Sequence, residues 1–415
     1  MDIVLSKFPH LDLSFLSDDI SDSDAVLAEL NSKSIFDPEY SLAGGLFIVN
    51  EIRSHEQFPA SFSASVAVSH CNAAFKAFVN ANKDELDAMV NHKFDESHNI
   101  MAMKTFMKGY LMRRDGVTIE TPSYLYLRVA TRIHMPHIDK IRELYIAFCN
   151  KELTAASPSL FNAGNTDQLA SCFLQDMRDD SISGIFKSLM DTANISKEGG
   201  GVSLSVSKIR SCDSLIKSTG GKSTGIPQML RLWNETSKYV TQGGRRPGSA
   251  AIYFELHHPD VLEILELKLP DGPEDLRCRQ LFFGAMLTST FLNAVRLDTD
   301  WHLFDPTTAT GHALNNTYGD EYTSVYEAGV KKEEYSNVVP ARDVFAAIVK
   351  SLMLSGTPYL LNKDEINRAS NVGYVRQSNL CCEIVEATSP EETGVCTLTS
   401  VNLNACIVNG SFDFK

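Results

Sequence analysis

The sequence predicts an α/β fold preceded by a mainly helical domain. Three observations carry this. Apolar residues recur at three- and four-residue spacing over the first 150 residues, short β-prone runs alternate with amphipathic stretches from Leu153 onward, and no apolar run is long enough to span a membrane. The expected boundary lies near residue 150, with a helical domain over 1–150 and an α/β domain over 151–415.

In the first domain, Ala43 to His55, Ser61 to Asn82 and Met101 to Met112 carry the helical period. In the second, Ser171 to Leu174, Val202 to Val206, Ala250 to Leu256, Leu281 to Met286 and Tyr359 to Asn362 read as strands. Between them, Ile226 to Val240 places Ile226, Met229, Leu230, Trp233 and Val240 on one helical face. Pro227 suits its first turn, and Gly243 with Gly244 suits its exit. This alternation argues for an α/β sheet or barrel. Ala309 to Val338, rich in Thr, Tyr, Glu and Asn, reads as a surface insertion.

At 43% hydrophobic and 22% charged residues, the chain can bury two or three ordinary cores, or one large barrel. A net charge of −14 argues against a nucleic-acid surface, which needs clustered cations. The first 24 residues hold neither a basic stretch nor a clean apolar segment, so a cytoplasmic address is expected. Nine cysteines, an odd number without a short-range framework, suit a reducing compartment in which any disulfide is catalytic and transient. No CxxC pair exists, and His134, His137, His257 and His258 lack partners at metal spacing, so no metal site is expected. Gly221-Lys-Ser223 invites a phosphate-loop reading, but Ile216 stands where the first glycine is required.

The richest chemistry lies in Gln377-Ser-Asn-Leu-Cys-Cys-Glu-Ile384, followed by Gly394-Val-Cys-Thr-Leu-Thr-Ser-Val-Asn-Leu403. An amide (Asn379), a thiol (Cys381) and a carboxylate (Glu383) occupy alternate positions, so in an extended or looped segment all three point one way. A carboxylate beside a thiol can take a proton from a substrate hydroxyl, and an amide can hold that hydroxyl. The plain alternative is a strand with one polar face.

Asn-x-Cys-x-Glu followed by Val-Cys-Thr-Leu resembles the finger-loop pattern of ribonucleotide reductase large subunits. Ser157-Pro-Ser-Leu-Phe-Asn-Ala-Gly164 with Gln168-Leu-Ala-Ser-Cys-Phe173 resembles that family's substrate strand and first redox cysteine. Lys197-Glu-Gly-Gly-Gly-Val202, Ile209-Arg210 and Gln242-Gly-Gly-Arg-Arg-Pro-Gly248 resemble its glycine-rich and effector-loop segments. The likeness begins near Tyr40-Ser-Leu-Ala43 and runs to about residue 410.

The resemblance implies one five-stranded half of a ten-stranded α/β barrel behind the helical domain. It implies reduction of ribonucleoside diphosphates to deoxyribonucleotides, the supply for DNA replication. In that scheme Cys381 becomes a thiyl radical that removes the 3′ hydrogen, Glu383 accepts the 3′-hydroxyl proton, and Asn379 hydrogen-bonds the same region. Cys172 and Cys396 form the reducing pair, which requires the fold to bring their strands together. Ser159, Ser171 and Gly201 match substrate-binding positions, where small residues let a polyanion approach. Asp180, Ser181 and Arg210 match an effector site for a deoxynucleoside triphosphate or ATP. Ser211 to Gly225, including Lys217, matches one effector loop, and Gln242 to Ser249, including Arg246, the loop that links effector to substrate choice. Cys382 has no role in the scheme and reads as packing.

The resemblance further implies a large-subunit homodimer, a metal-containing small subunit that supplies the radical, and thioredoxin or glutaredoxin as reductant. No cofactor is expected on this chain itself. The sequence departs from many relatives in showing no ATP-cone module before the first match. It also lacks the second half-barrel, the paired radical-relay tyrosines and a C-terminal cysteine pair, so two alternatives are open: a separate C-terminal large-subunit polypeptide, which is the expectation, or a longer chain of which this sequence is a part. Two other classes stay open: a catalytically inactive nucleotide-binding or regulatory subunit, and another thiyl or glycyl-radical enzyme. The effector-loop segments and the paired Cys172 and Cys396 argue against the last.

Overall fold

A computed structural model describes residues 2–15, 22–242 and 246–414, with backbone alone at residues 2, 242, 246 and 247. Contacts divide the chain into two compact units, Met1–Leu169 with Leu398–Lys415, and Ala170–Thr397.

The first unit is helical, and several of its helices start where polar side chains cap free backbone amides. Asn72 accepts from Phe75 N at 2.9 Å to open Ala73–Ala81, and Asn99 accepts from Ala102 N at 2.9 Å to open Ile100–Gly109. That first cap explains why the periodic run from Ser61 to Asn82 is two helices, Phe62–Val68 and Ala73–Ala81, rather than one. The helix Pro122–His134 is buried along most of its length, including Arg128. Burying a guanidinium requires full pairing. Arg128 donates to Glu120 at 2.7 and 3.1 Å and to the carbonyls of Leu160 and Ala163 at 3.0 and 2.6 Å. These last bonds tie the helix Ser157–Asn162 to this unit, so contacts place the division at 169/170 where composition placed it near 150.

The second unit is built on a six-stranded sheet. In chain order its strands are β1 (Cys172–Asp176), β2 (Gly201–Ser205), β3 (Ala250–Glu255), β4 (Leu281–Leu287), β5 (Tyr359–Asn362) and β6 (Gly394–Cys396). The spatial order is β5-β4-β3-β2-β1-β6. β1 to β5 are parallel neighbours in sequence order, whereas β6 returns antiparallel to β1. A run of successive parallel neighbours is what a half-barrel requires. β3 is buried at all six positions, as expected of a strand covered on both faces. Helix α1 (Ile182–Lys197) connects β1 to β2 and helix α2 (Gly225–Tyr239) connects β2 to β3. On α2, Ile226, Met229, Leu230 and Trp233 are buried, and Trp233 Nε1 donates to Thr192 Oγ1 of α1 at 3.2 Å.

The expected surface insertion from Ala309 to Val338 is instead part of the core. It forms the helices Ala309–Leu314 and Gly319–Lys331 and a strand, Asn337–Pro340, paired with Asp300–Leu303. Leu314, Tyr322 and Tyr326 are buried there, and Trp301 stacks on Tyr326 at 4.6 Å. The composition misled because tyrosines carry much of the burial: Tyr322 Oη lies 3.1 Å from His257 Nδ1, and Tyr326 Oη accepts from His302 N at 2.8 Å.

His98 in the first unit offers a test of packing by pH. Its ring meets Phe94 and Phe106 edge-on at 4.6 and 5.2 Å, and burial pushes its pKa down to about 4. The neutral ring is the form the fold accommodates. Its contribution is therefore complete above the unfolded value of 6.5 and is lost as pH falls towards 4. His98→Phe is expected to remove roughly 3 kcal/mol of acid sensitivity over that window, at about 1.4 kcal/mol per pKa unit. Urea denaturation at pH 7 and 4.5 measures it, and parallel losses in both proteins would refute the burial argument.

Candidate active site

The loop that follows the helix Lys363–Ala369 runs against the sheet and must satisfy its own backbone there. Gln377 is wholly buried and its Nε2 donates to the carbonyl of Gln175 on β1 at 2.6 Å. A bridge between Ser378 and Val385 closes the loop, and Ser378 Oγ donates to Ile384 O at 2.5 Å. Asn379, also wholly buried, organises the tip. Its Oδ1 accepts from Glu383 N at 3.0 Å and Ile384 N at 3.2 Å. Its backbone carbonyl accepts from Cys382 N at 3.2 Å and from Tyr253 Oη at 2.7 Å.

Asn379, Cys381 and Glu383 thus lie on a tight turn, with Cys382 at φ +64°, and not on an extended segment. The turn, rather than alternation of side chains, gathers these groups. Asn379 Nδ2 donates to Cys172 Sγ at 3.2 Å, and Cys172 Sγ lies 3.8 Å from Glu383 Oε1. Cys396 on β6 stands directly opposite Cys172 on β1, both as free thiols. Directly opposed residues of an antiparallel pair have Cβ atoms roughly 4.5–5.5 Å apart, near the separation a disulfide needs.

Ser171 donates through Oγ to Cys396 O at 3.2 Å, and its carbonyl accepts from Gly201 N at 2.8 Å. A side chain on Gly201 would press against Leu380 of the loop, whose Cδ2 would lie 3.1 Å from a Cβ there. The structure therefore gathers Cys172, Ser171, Gly201, Asn379, Cys381, Glu383 and Cys396. Ser159 belongs to the first unit, where its Oγ donates to Leu169 O at 2.9 Å. Cys382 packs with Tyr253, Met286 and Leu361 in a small apolar cluster.

Although Cys381 is exposed as a residue, close packing around its sulfur raises the thiol pKa, with Glu383 and then Cys172 adding to the shift. Burial likewise raises Cys396, followed by the charge interactions with Cys172 and Glu386. Both are protonated at neutral pH. A protonated thiol is a poor nucleophile but can give up a hydrogen atom, and the sulfur radical left behind can take one.

A second site lies beyond the end of β1. A cavity of about 630 Å³ is lined by Asp180, Ser181, Arg210, Lys222 and Ser218, with Ile182, Phe186 and Leu232 as its apolar wall. Arg210 Nε donates to Asp180 Oδ2 at 2.6 Å; burial raises the Asp180 pKa while Arg210 opposes that shift. Ser181 caps α1 by accepting from Gly184 N at 3.0 Å. Lys217 sits on the exposed turn of the hairpin Cys212–Ile216 and Gly221–Thr224, beside Ile216 and Ser218 of the cavity wall. Gln242 and Arg246 are paired across a two-stranded ribbon; their side chains, with residues 243–245, lie outside the described residues.

Residues 170–415 match the family model "Ribonucleotide reductase, barrel domain", and residues 96–168 match "Ribonucleotide reductase, all-alpha domain". The chain belongs to the ribonucleotide reductase large-subunit family. Among its relatives is the ribonucleoside-diphosphate reductase large chain of Schizosaccharomyces pombe, 38% identical over 396 residues, which are 91% of this chain and 48% of that protein. The large subunit of Vaccinia virus is 41% identical over 341 residues, covering 81% of this chain and 44% of the viral protein. That of Danio rerio is 41% identical over 341 residues, 81% and 43% of the two chains. The chain spans about half the length of the curated relatives it matches. Cys172, Cys381 and Cys396 all lie within the residues that match the barrel-domain model.

The electrostatics around Cys381 predict its labelling behaviour. Its reaction with iodoacetamide should rise only above the ordinary thiol range, and Glu383→Gln should bring that midpoint down by removing a nearby negative charge. A midpoint that does not move in Glu383→Gln would place the carboxylate too far from the sulfur to act on it.

Proposed function

We propose that this chain carries the thiol chemistry and effector binding of a ribonucleoside-diphosphate reductase. The observation that carries this reading is the convergence of Cys172, Asn379 and Glu383 within 3.2–3.8 Å, beside Cys396 on the next strand and Cys381 on the turn. In the proposed sequence, the sulfur radical of Cys381 takes the 3′ hydrogen of the ribose, leaving S–H and a carbon radical. Glu383 takes the 3′-hydroxyl proton while the 2′ oxygen departs as water. Cys172 and Cys396 supply two electrons and two protons and end as a disulfide. Glu383 gives its proton back to the 3′ oxygen, and Cys381 returns its hydrogen to the 3′ carbon and regains the radical.

Asn379 would orient the 3′ region, and Ser171, Gly201 and Ser159 would leave room for the sugar and phosphate. The radical would come from a metal-containing small subunit, and thioredoxin or glutaredoxin would reduce the disulfide. The cavity at Asp180 and Arg210 supports binding of a nucleoside triphosphate effector, dNTP or ATP: a carboxylate can hold a ribose hydroxyl and a guanidinium can grip phosphate oxygens. Lys217, Gln242 and Arg246 belong to the proposed effector loops, and a homodimer of large subunits to the proposed assembly.

Two substitutions test this in the complete enzyme. Cys381→Ser should abolish deoxyribonucleotide formation while leaving effector binding intact; surviving turnover would sink the thiyl assignment. Arg210→Ala should weaken triphosphate binding at least tenfold by isothermal calorimetry, a charge-assisted hydrogen bond being worth about 1.5–3 kcal/mol. Single-turnover mass spectrometry should find Cys172 and Cys396 oxidised together. Triphosphate binding with both cysteines reduced after substrate addition would favour an inactive nucleotide-binding subunit.

A further inference from the structure

We infer that Tyr253 is a positioning residue for the Cys381 turn, acting through the backbone of Asn379; this rests on the reading of Cys381 as the reacting thiol. Tyr253 lies on β3 and is wholly buried. Its ring packs with Ala251, Met286, Leu361 and Cys382. Its register partner on β4 is Gly284, where a Cβ would fall 2.3 Å from the ring, so the absence of a side chain there makes the seat. From that seat the hydroxyl donates 2.7 Å to the carbonyl of Asn379.

That carbonyl is the pivot of the turn. It also accepts from Cys382 N at 3.2 Å, and two donors converging on one oxygen fix the plane of the peptide that follows. The same residue's side chain holds Cys172 and the amides of Glu383 and Ile384. Cys382 adopts a left-handed φ of +64°, a conformation that a non-glycine residue holds only when its surroundings impose it. A phenol buried among apolar side chains is itself costly unless bonded, so the Tyr253 hydroxyl and the seated turn each require the other. Loss of the bond frees the turn to shift by fractions of an ångström, which displaces Cys381 while leaving its chemistry unchanged. Burial keeps the Tyr253 phenol protonated and therefore a donor.

The test uses the complete enzyme with Tyr253→Phe, and with 4-aminophenylalanine at 253, which restores a donor at the same place. Tyr253→Phe is expected to lower kcat about 10–100-fold with substrate KM within about threefold, as small misplacements of reacting groups do. Iodoacetamide labelling of Cys381 should accelerate about fivefold or more, whereas exposed Cys212 labels as before. The amino variant should recover both readouts, which a purely space-filling ring would not explain. Wild-type labelling and kcat in Tyr253→Phe would overturn the inference, as would an amino variant that behaves like Phe. Should the unsubstituted enzyme fail to reduce ribonucleotides, the functional reading falls, and the labelling arm alone still decides whether Tyr253 positions the turn.

Discussion

A parallel sheet covered on both faces offers no water to a backbone that enters it, and this constraint shapes the candidate site. Gln377, Ser378 and Asn379 are buried in such a region, where polar groups favour protein partners, whereas Cys381 and Glu383 beyond them are exposed. Gln377 finds one on β1, Ser378 on Ile384, and Asn379 satisfies two amides of its own loop. The Nδ2 of the same side chain donates to Cys172. The residues that make the loop stable are therefore the ones that bring its chemistry against β1. Structure and reactivity share the same few hydrogen bonds.

β1 connects the two proposed sites. Cys172 opens the strand and Asp176 closes it, and the chain then runs through Asp180 and Ser181 into α1. Asp176 is buried and paired with Lys208 at 2.5 Å, while Arg210, two residues further on, pairs with Asp180. A ligand that competes for the Asp180–Arg210 pair would act on a segment anchored to the strand that bears Cys172. The apolar wall of the cavity, with Ile182 and Phe186 from α1 and Leu232 from α2, suits the flat face of a base.

The sheet was legible in the sequence because parallel strands are nearly uniform in their burial. Ala250 to Leu256, apolar but for Glu255 and the Tyr253 hydroxyl, and Leu281 to Met286 both fall within one residue of the observed strands. The region Ala309 to Val338 was not legible, since its core contacts are made by Tyr322 and Tyr326, whose hydroxyls count as polar in composition but are bonded inside. The residues of the thiol cluster were visible as a motif, but their convergence was not. Alternation suggested one face of an extended or looped segment, and it is a turn with a left-handed Cys382 that does the gathering. Tyr253 was read only as part of an apolar strand; its isolated hydroxyl within Ala-Ala-Ile-Tyr-Phe was the available signal.

β6 is three residues long and, among the described residues, pairs only with β1. A short border strand held from one side is prone to fray, because few backbone bonds oppose its release. Its Cys396 faces Cys172, so a covalent link between the two sulfurs would rivet the border of the sheet at that register. Reduction would withdraw the rivet and return the strand to its weak backbone hold. The oxidation state of two side chains would then govern how readily that margin opens, and with it how easily an external thiol could reach the bond it has to cleave.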